Sequence, residues 1–159
     1  HDALPICHAK NECEKIYNES YDLVVDLDVS SPIKTKKDLD ICLKIFKQNN
    51  PEILFSVVKA HRNPYFNMVE INKKGFAELS KKKDKMILRN QDTPKVYDMN
   101  ASIYFYNSSF LADPKKIHPL SSNRAMIYKM NEISRTDIDS EIDFKYIEFL
   151  IKNKVIELE

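Results

Sequence analysis

The sequence predicts an α/β fold, a mixed, mainly parallel sheet flanked by helices, and three observations lead there. Residues 21–27 (YDLVVDL) form a dense apolar, β-branched run bounded by polar residues, the pattern of a strand buried on both faces. Residues 53–58 (ILFSVV) are a second such run. Between them lies an amphipathic helix opened by a capping box, Thr35 with Asp38. Its Leu39, Cys42, Leu43 and Phe46 share one face, and it stops at Asn49-Asn50-Pro51. Strand, helix and strand with short links make the βαβ unit, whose strands are expected to pair in parallel across a right-handed crossover.

The other elements follow in order. Ala9, Cys13, Ile16 and Tyr17 recur at helical spacing, so a helix precedes the first strand, over residues 7–17. That strand ends at Asp28-Val29-Ser30-Ser31-Pro32, because proline cannot continue a sheet. Residues 68–71 and 76–79 read as a hairpin, with Gly75 giving the positive φ that its turn needs. Lys81, Lys82, Lys83 and Lys85 form a basic run read as a solvated loop. Residues 101–106 (ASIYFY) and 125–130 (AMIYKM) are further strands. A second capping box, Ser140 with Asp143, opens a last helix whose apolar face is Phe144, Ile147, Leu150 and Ile151. No internal repeat or low-complexity linker divides the chain.

Composition narrows the function. The 159 residues suit one domain with a real core. Twenty-five basic and twenty-four acidic side chains leave a net charge of +1, so no global field recruits nucleic acid or an anionic membrane. Cys7, Cys13 and Cys42 are odd in number and form no C-x-x-C, which points to a reducing compartment, the cytoplasm. No apolar run is long enough to span a bilayer. A single glycine excludes glycine-rich phosphate loops, and with them a nucleophile elbow. His8, His61 and His118 have no partner spacing for a metal or a triad and read as ordinary polar residues.

In open α/β sheets, ligands gather beyond the carboxyl ends of strands. Two stretches there carry suitable chemistry: residues 28–35 (DVSSPIKT) and residues 89–104, with Arg89, Asn90, Gln91 and Asn100. A third candidate is SRTDIDSEID, residues 134–143, just ahead of the last helix. Carboxylates there can cap the helix and complement its dipole. Equally, Asp137 and Asp139, two apart in an extended segment, point to one side and suit Mg²⁺, which takes one or two carboxylates plus substrate phosphates. The spacing alone leaves both readings open.

Taken together, residues 26–39 (DLDVSSPIKTKKDL), 56–71 (SVVKAHRNPYFNMVEI), 89–106 (RNQDTPKVYDMNASIYFY) and 137–150 (DIDSEIDFKYIEFL) resemble the acylneuraminate cytidylyltransferase family, which makes CMP-activated nonulosonic acids. The four motifs are collinear with the family's. The resemblance implies a nucleotide-diphospho-sugar-transferase-like fold, CTP and a nonulosonic acid as substrates, and Mg²⁺ on Asp137 and Asp139. It implies a substrate-binding set of Asp28, Ser30, Lys34, Arg89, Asn90, Gln91, Asn100 and Tyr104, with Asn100, Tyr104 and Asp28 lining the sugar-acid pocket. Asp28, where many sialic-acid members carry Gln, together with DVSSP, RNPYFNM and YDMNASIY, looks closer to the branch that activates legionaminic acid; a carboxylate is a pure acceptor, so the pocket is expected to prefer different hydrogen-bond donors on the sugar. Sialic or pseudaminic acid is the alternative substrate. Residues 110–122 resemble a dimerisation insertion, so a homodimer is expected.

The chain also departs from the family. Asn90 stands where a second arginine would meet the substrate carboxylate, and cannot supply its charge or fork of donors. Lys34 replaces an arginine, keeping charge but losing bidentate geometry. The family's first βα units, with the loop that embraces triphosphate and cytosine, would precede Cys7; their loss is on the order of 60 residues at about 30 per βαβ unit. Residues 1–6 (HDALPI) match nothing in the family and are expected to be non-native. Residues 7–159 are then the C-terminal two-thirds of one cytidylyltransferase domain, expected to be inactive alone. The rival reading of the literal chain is a nucleotidyltransferase remnant that serves as a binding module.

Overall fold

The structure is a computed structural model and describes residues 3–83, 87, 89–113, 115–116 and 118–157. Lys85 of the basic run, His1 and Asp2, and Pro114 and Ile117 of the expected dimerisation segment lie outside the described residues. The elements run α1 (Ala3–Tyr17), β1 (Leu23–Leu27), α2 (Lys36–Asn49), β2 (Ile53–Lys59), β3 (Val69–Ile71), β4 (Ala77–Leu79), β5 (Tyr97–Asn107), α3 (Ser108–Leu111), β6 (Ala125–Lys129) and α4 (Glu141–Lys152). The chain falls into two compact units, His1–Val58 with Met99–Glu159, and Lys59–Asp98.

The first unit holds a four-stranded sheet in the order β1-β5-β2-β6. β1 and β5 are antiparallel, Leu23 opposite Asn107 and Leu27 opposite Ile103, whereas β2 and β6 are parallel. The βαβ reading holds for connectivity but not for pairing, because β5 inserts between β1 and β2. Asn107 N–H donates to Glu52 C=O and Ile103 N–H to Ser56 Oγ, so β5 runs against β2 and the sheet is mixed. β1 is also not buried on both faces: Val25 and Leu27 are 42% and 37% exposed. As the outermost strand of this sheet it has a neighbour on one side only, which leaves its apolar residues partly uncovered.

Both capping boxes form. Thr35 and Asp38 exchange side-chain and backbone bonds at the start of α2, as Ser140 and Asp143 do at α4. Asn50 closes α2 in the left-handed conformation. Cys42 and Phe46 of α2 pack on Leu54, Val58, Ile103, Phe105 and Met130, one face of the sheet. The opposite face carries an aromatic row, Phe55, Tyr104, Tyr106 and Phe110, with successive centroids 5.8 to 6.2 Å apart. Of the apolar face expected on α4, Ile147 and Leu150 are buried, while Phe144 is 56% exposed. Those two buried residues join Ile33 and Ile156 in a smaller cluster, with Ile133 and Ile138 against it.

In the second unit β3 and β4 form the expected hairpin around Gly75 (φ 82°), as a two-stranded sheet of its own. α1 begins at Ala3, so residues 3–6 continue the helix expected from Cys7.

Candidate active site

The site is assembled by the two segments that the Ile33–Ile147–Leu150–Ile156 cluster holds together. Ile33 belongs to the loop after β1, and Ile138 to the extended segment before α4. Ile138 N–H also donates to Ser30 C=O at 2.9 Å, pinning one backbone to the other. With Ile138 turned to the apolar cluster, its neighbour Asp137 meets the β1 loop. Ser31 Oγ donates to Asp137 Oδ1, and Ser30 Oγ lies 3.3 Å from the same oxygen. Ser30 N–H and Oγ both bond Asp28 Oδ1 at 2.8 Å, a local turn that fixes this carboxylate.

Lys34 lies under the same turn. Its Nζ donates to the carbonyls of Asp28 and Ser31, both at 2.6 Å. Burial lowers its pKa, opposed by the charges of Asp28, Asp137 and Asp26 in that order. The Asp26 carboxyl is pushed up from its ordinary value, chiefly by burial and then by Asp28, with Lys34 opposing. Asp26 faces Tyr104 across the β1–β5 ladder. Burial first, and then Asp26, Asp28 and Asp137, raise the Tyr104 phenol to about 12, so it stays a neutral O–H donor at physiological pH.

Asn100 is tied to the same loop. Its carbonyl accepts from Ser31 Oγ at 3.1 Å, and its Nδ2 donates to Ser134 C=O at 2.9 Å. Its Oδ1 is buried with no hydrogen-bond partner among the described residues. The next residue, Ala101, has φ 52°, a left-handed conformation that costs an L residue roughly 1–2 kcal/mol. Such strain inside a strand re-aims the neighbouring side chain, and an orphaned buried acceptor is what a ligand donor would satisfy.

The structure thus brings together Asp28, Ser30, Lys34, Asn100, Tyr104 and Asp137. Asp139 follows them into the same extended segment but is exposed, its N–H donating to Asp143. Helix capping is carried by Ser140 and Asp143 themselves, so it makes no demand on the Asp137 carboxylate. Arg89, Asn90 and Gln91 belong to the second unit, where all three are exposed and Asn90–Asp92 form a 3-10 turn. Asp26 escaped the sequence reading, and Ser31 and Ser134 lie in its candidate stretches without an assigned role. Asp26 had a signal, a carboxylate inside an apolar strand; Ser31 and Ser134 had none, because their partners lie 106 and 34 residues away. Among the described residues no three His, Cys, Asp or Glu side chains converge into a metal cage.

The fold is a nucleotide-diphospho-sugar-transferase-like α/β sheet flanked by helices. The crystal structure of 4-diphosphocytidyl-2C-methyl-D-erythritolsynthase from Anaerococcus prevotii DSM 20548 superposes with a TM-score of 0.59, over 89% of this chain and 64% of that one. At 12% identity the likeness is one of fold. No protein-family profile matches the chain. Two curated relatives are each 36% identical over 141 residues: a post-translational flagellin modification protein B of Campylobacter coli, and a CMP-N,N'-diacetyllegionaminic acid synthase of Campylobacter jejuni. The chain is similar to these relatives in a way consistent with the acylneuraminate cytidylyltransferase family that its motifs resemble. It covers 89% of its own length in these matches and 57% of the relatives'.

Proposed function

We propose that the protein works as a cytidylyltransferase for a nonulosonic acid, of legionaminic or sialic type. The anomeric hydroxyl of the sugar acid attacks the α-phosphorus of CTP; the new O–P bond forms as pyrophosphate leaves and the hydroxyl proton is lost. The observation that carries this reading is the seating of Asp137 beside Asp28, Ser30 and Ser31, beyond the end of β1, where α/β folds bind ligands. The 36% identity to a protein named as a CMP-sugar-acid synthase supports the substrate class.

The residues fit the Mg²⁺ that this family implies. Their donors are hard oxygens, Asp137 is oriented by two serines, and Asp139 is exposed to solvent, as suits a hydrated ion held by one or two carboxylates. Mg²⁺ on Asp137 and Asp139 would neutralise phosphate charge. Asn100 Oδ1 accepts from the sugar acid, and the Tyr104 phenol donates. For Arg89, Asn90 and Gln91 a substrate role rests on the family resemblance. We place the enzyme in the cytoplasm, which suits three free thiols, and as a homodimer through the segment around Pro119. No helix of the described residues is long and apolar enough to cross a membrane.

The test, in a protein that carries the full length of the relatives, is turnover of CTP with legionaminic and sialic-type acids in the presence of Mg²⁺, read as the CMP-sugar. Asp139→Asn is expected to abolish transfer while leaving the melting temperature nearly unchanged. Unchanged turnover in that variant removes the metal role.

A further inference from the structure

Lys34 occupies a place that disfavours a cation. It directly precedes Thr35, the N-cap of α2, and the positive end of a helix dipole repels an ammonium. Partial burial adds a desolvation cost. Two features offset this. Nζ donates at 2.6 Å to both the Asp28 and the Ser31 carbonyls, the two ends of one tight turn. Three carboxylates, Asp28, Asp137 and Asp26, also act on its charge. The two clamped residues are the ones that build the cluster: Asp28 supplies one carboxylate, and Ser31 holds another through Oγ. Two of the three Nζ donors are spent on these bonds, so direct contact with a phosphate or a sugar carboxylate would fall to the one that remains.

We propose that Lys34 is a positioning residue: it pins both ends of the 28–31 turn and supplies the counter-charge that lets Asp26, Asp28 and Asp137 stand together. It reaches a ligand only through those carboxylates. This rests on the reading of the cluster as the ligand site, and it differs from the expectation that Lys34 itself binds substrate. Arginine in this place can make the same two carbonyl contacts, since its guanidinium also presents a fork of donors.

Thermal melting of the ligand-free protein tests the clamp in Lys34→Met, Lys34→Arg, Asp28→Asn and the double variant Lys34→Met/Asp28→Asn. Lys34→Met is expected to lower Tm by about 5 °C, on the scale of one lost charged hydrogen-bond pair. Lys34→Arg should restore most of that. In the Asp28→Asn background the loss should shrink by about half, because one of three like charges is gone. An unchanged Tm in Lys34→Met overturns the clamp, and equal losses in both backgrounds overturn the counter-charge. Should Lys34→Met not fold, a cooperative melt in the double variant supports the proposal and its absence overturns it. In turnover, a positioning role lowers kcat with KM for CTP held within about threefold, whereas a raised KM at constant kcat marks direct contact and sinks the proposal. Absence of turnover in a protein that carries the full length of the relatives removes the proposed function and leaves the melting comparison standing.

Discussion

The two units of this chain keep their shape by different means. In the first, a sheet with apolar side chains on both faces does the work: Leu54, Val58, Ile103 and Phe105 on one face, Tyr104 and Tyr106 on the other, each 2% exposed or less. In the second, Asn63 is the buried residue among those described. Its Nδ2 donates to Thr93 Oγ1 and Pro94 C=O, its Oδ1 accepts from Tyr65 N–H, and its carbonyl accepts from Phe66 and Asn67 N–H. The hairpin there leaves Val69, Ile71 and Phe76 more than 60% exposed. A hairpin of that kind is marginal alone, so one asparagine does what a core does elsewhere. Site residues that need fixed geometry, Asp28, Asn100 and Asp137, all lie in the unit with the apolar core.

Four substitutions probe that contrast. The largest effect belongs to Phe105→Ala, which opens the cluster beneath the sheet and is expected to cost about 3–5 kcal/mol in denaturant melts. A loss below about 1 kcal/mol would contradict a core-held first unit. Asn63→Ala strands two acceptors and a donor and should cost about 2 kcal/mol, felt locally. Hydrogen exchange is then expected to rise over residues 60–96 and to stay slow at Leu54 and Phe105; a uniform rise argues against a separately held second unit.

Asp26→Asn tests the burden that the first unit carries for its site. The folded chain holds the Asp26 proton more tightly than the unfolded chain, whose ordinary value is 3.8. Stability from this group is therefore fully present below pH 3.8 and is lost as pH rises through the folded value. The amide should raise Tm at pH 7, and the gain should vanish below pH 3.8. A gain that is constant with pH points to packing instead of charge. Smallest is Ala101→Gly. Relief of left-handed strain is partly offset by glycine's entropy, for a net gain of about 0.5 kcal/mol. Turnover should fall despite that gain if the strained backbone aims Asn100.

Local signals were the legible ones. Both capping boxes, the stop of α2 at Asn49-Asn50-Pro51 and the turn at Gly75 depend on residues within four of one another and are readable; the left-handed conformation of Asn50 is not. Pairing was not. Nothing in residues 97–107 says that this strand inserts between β1 and β2, so the apolar run of β1 predicts a strand covered on both faces where the structure has an outer one. The site divided in the same way. Asp28, Asn100 and Asp137 could be named from motifs, whereas the serine that joins Asp137 to the Asn100 carbonyl is visible only once distant segments meet. α4 was half legible: Ile147 and Leu150 point inward, but Ile142, Tyr146 and Phe149 add a second apolar stripe at 49–74% exposure, too wide an arc for periodicity to choose a face.

The apolar seam behind the carboxylates, Ile33 with Ile147 and Leu150 and with Ile138 against them, makes the chemistry hostage to methyl groups that never meet a substrate. A saturation screen for turnover would rank Ile33 and Ile138 among the reactive residues. Only a stability measurement run alongside would reveal them as the hinge pins of the site, with the polar groups as its door.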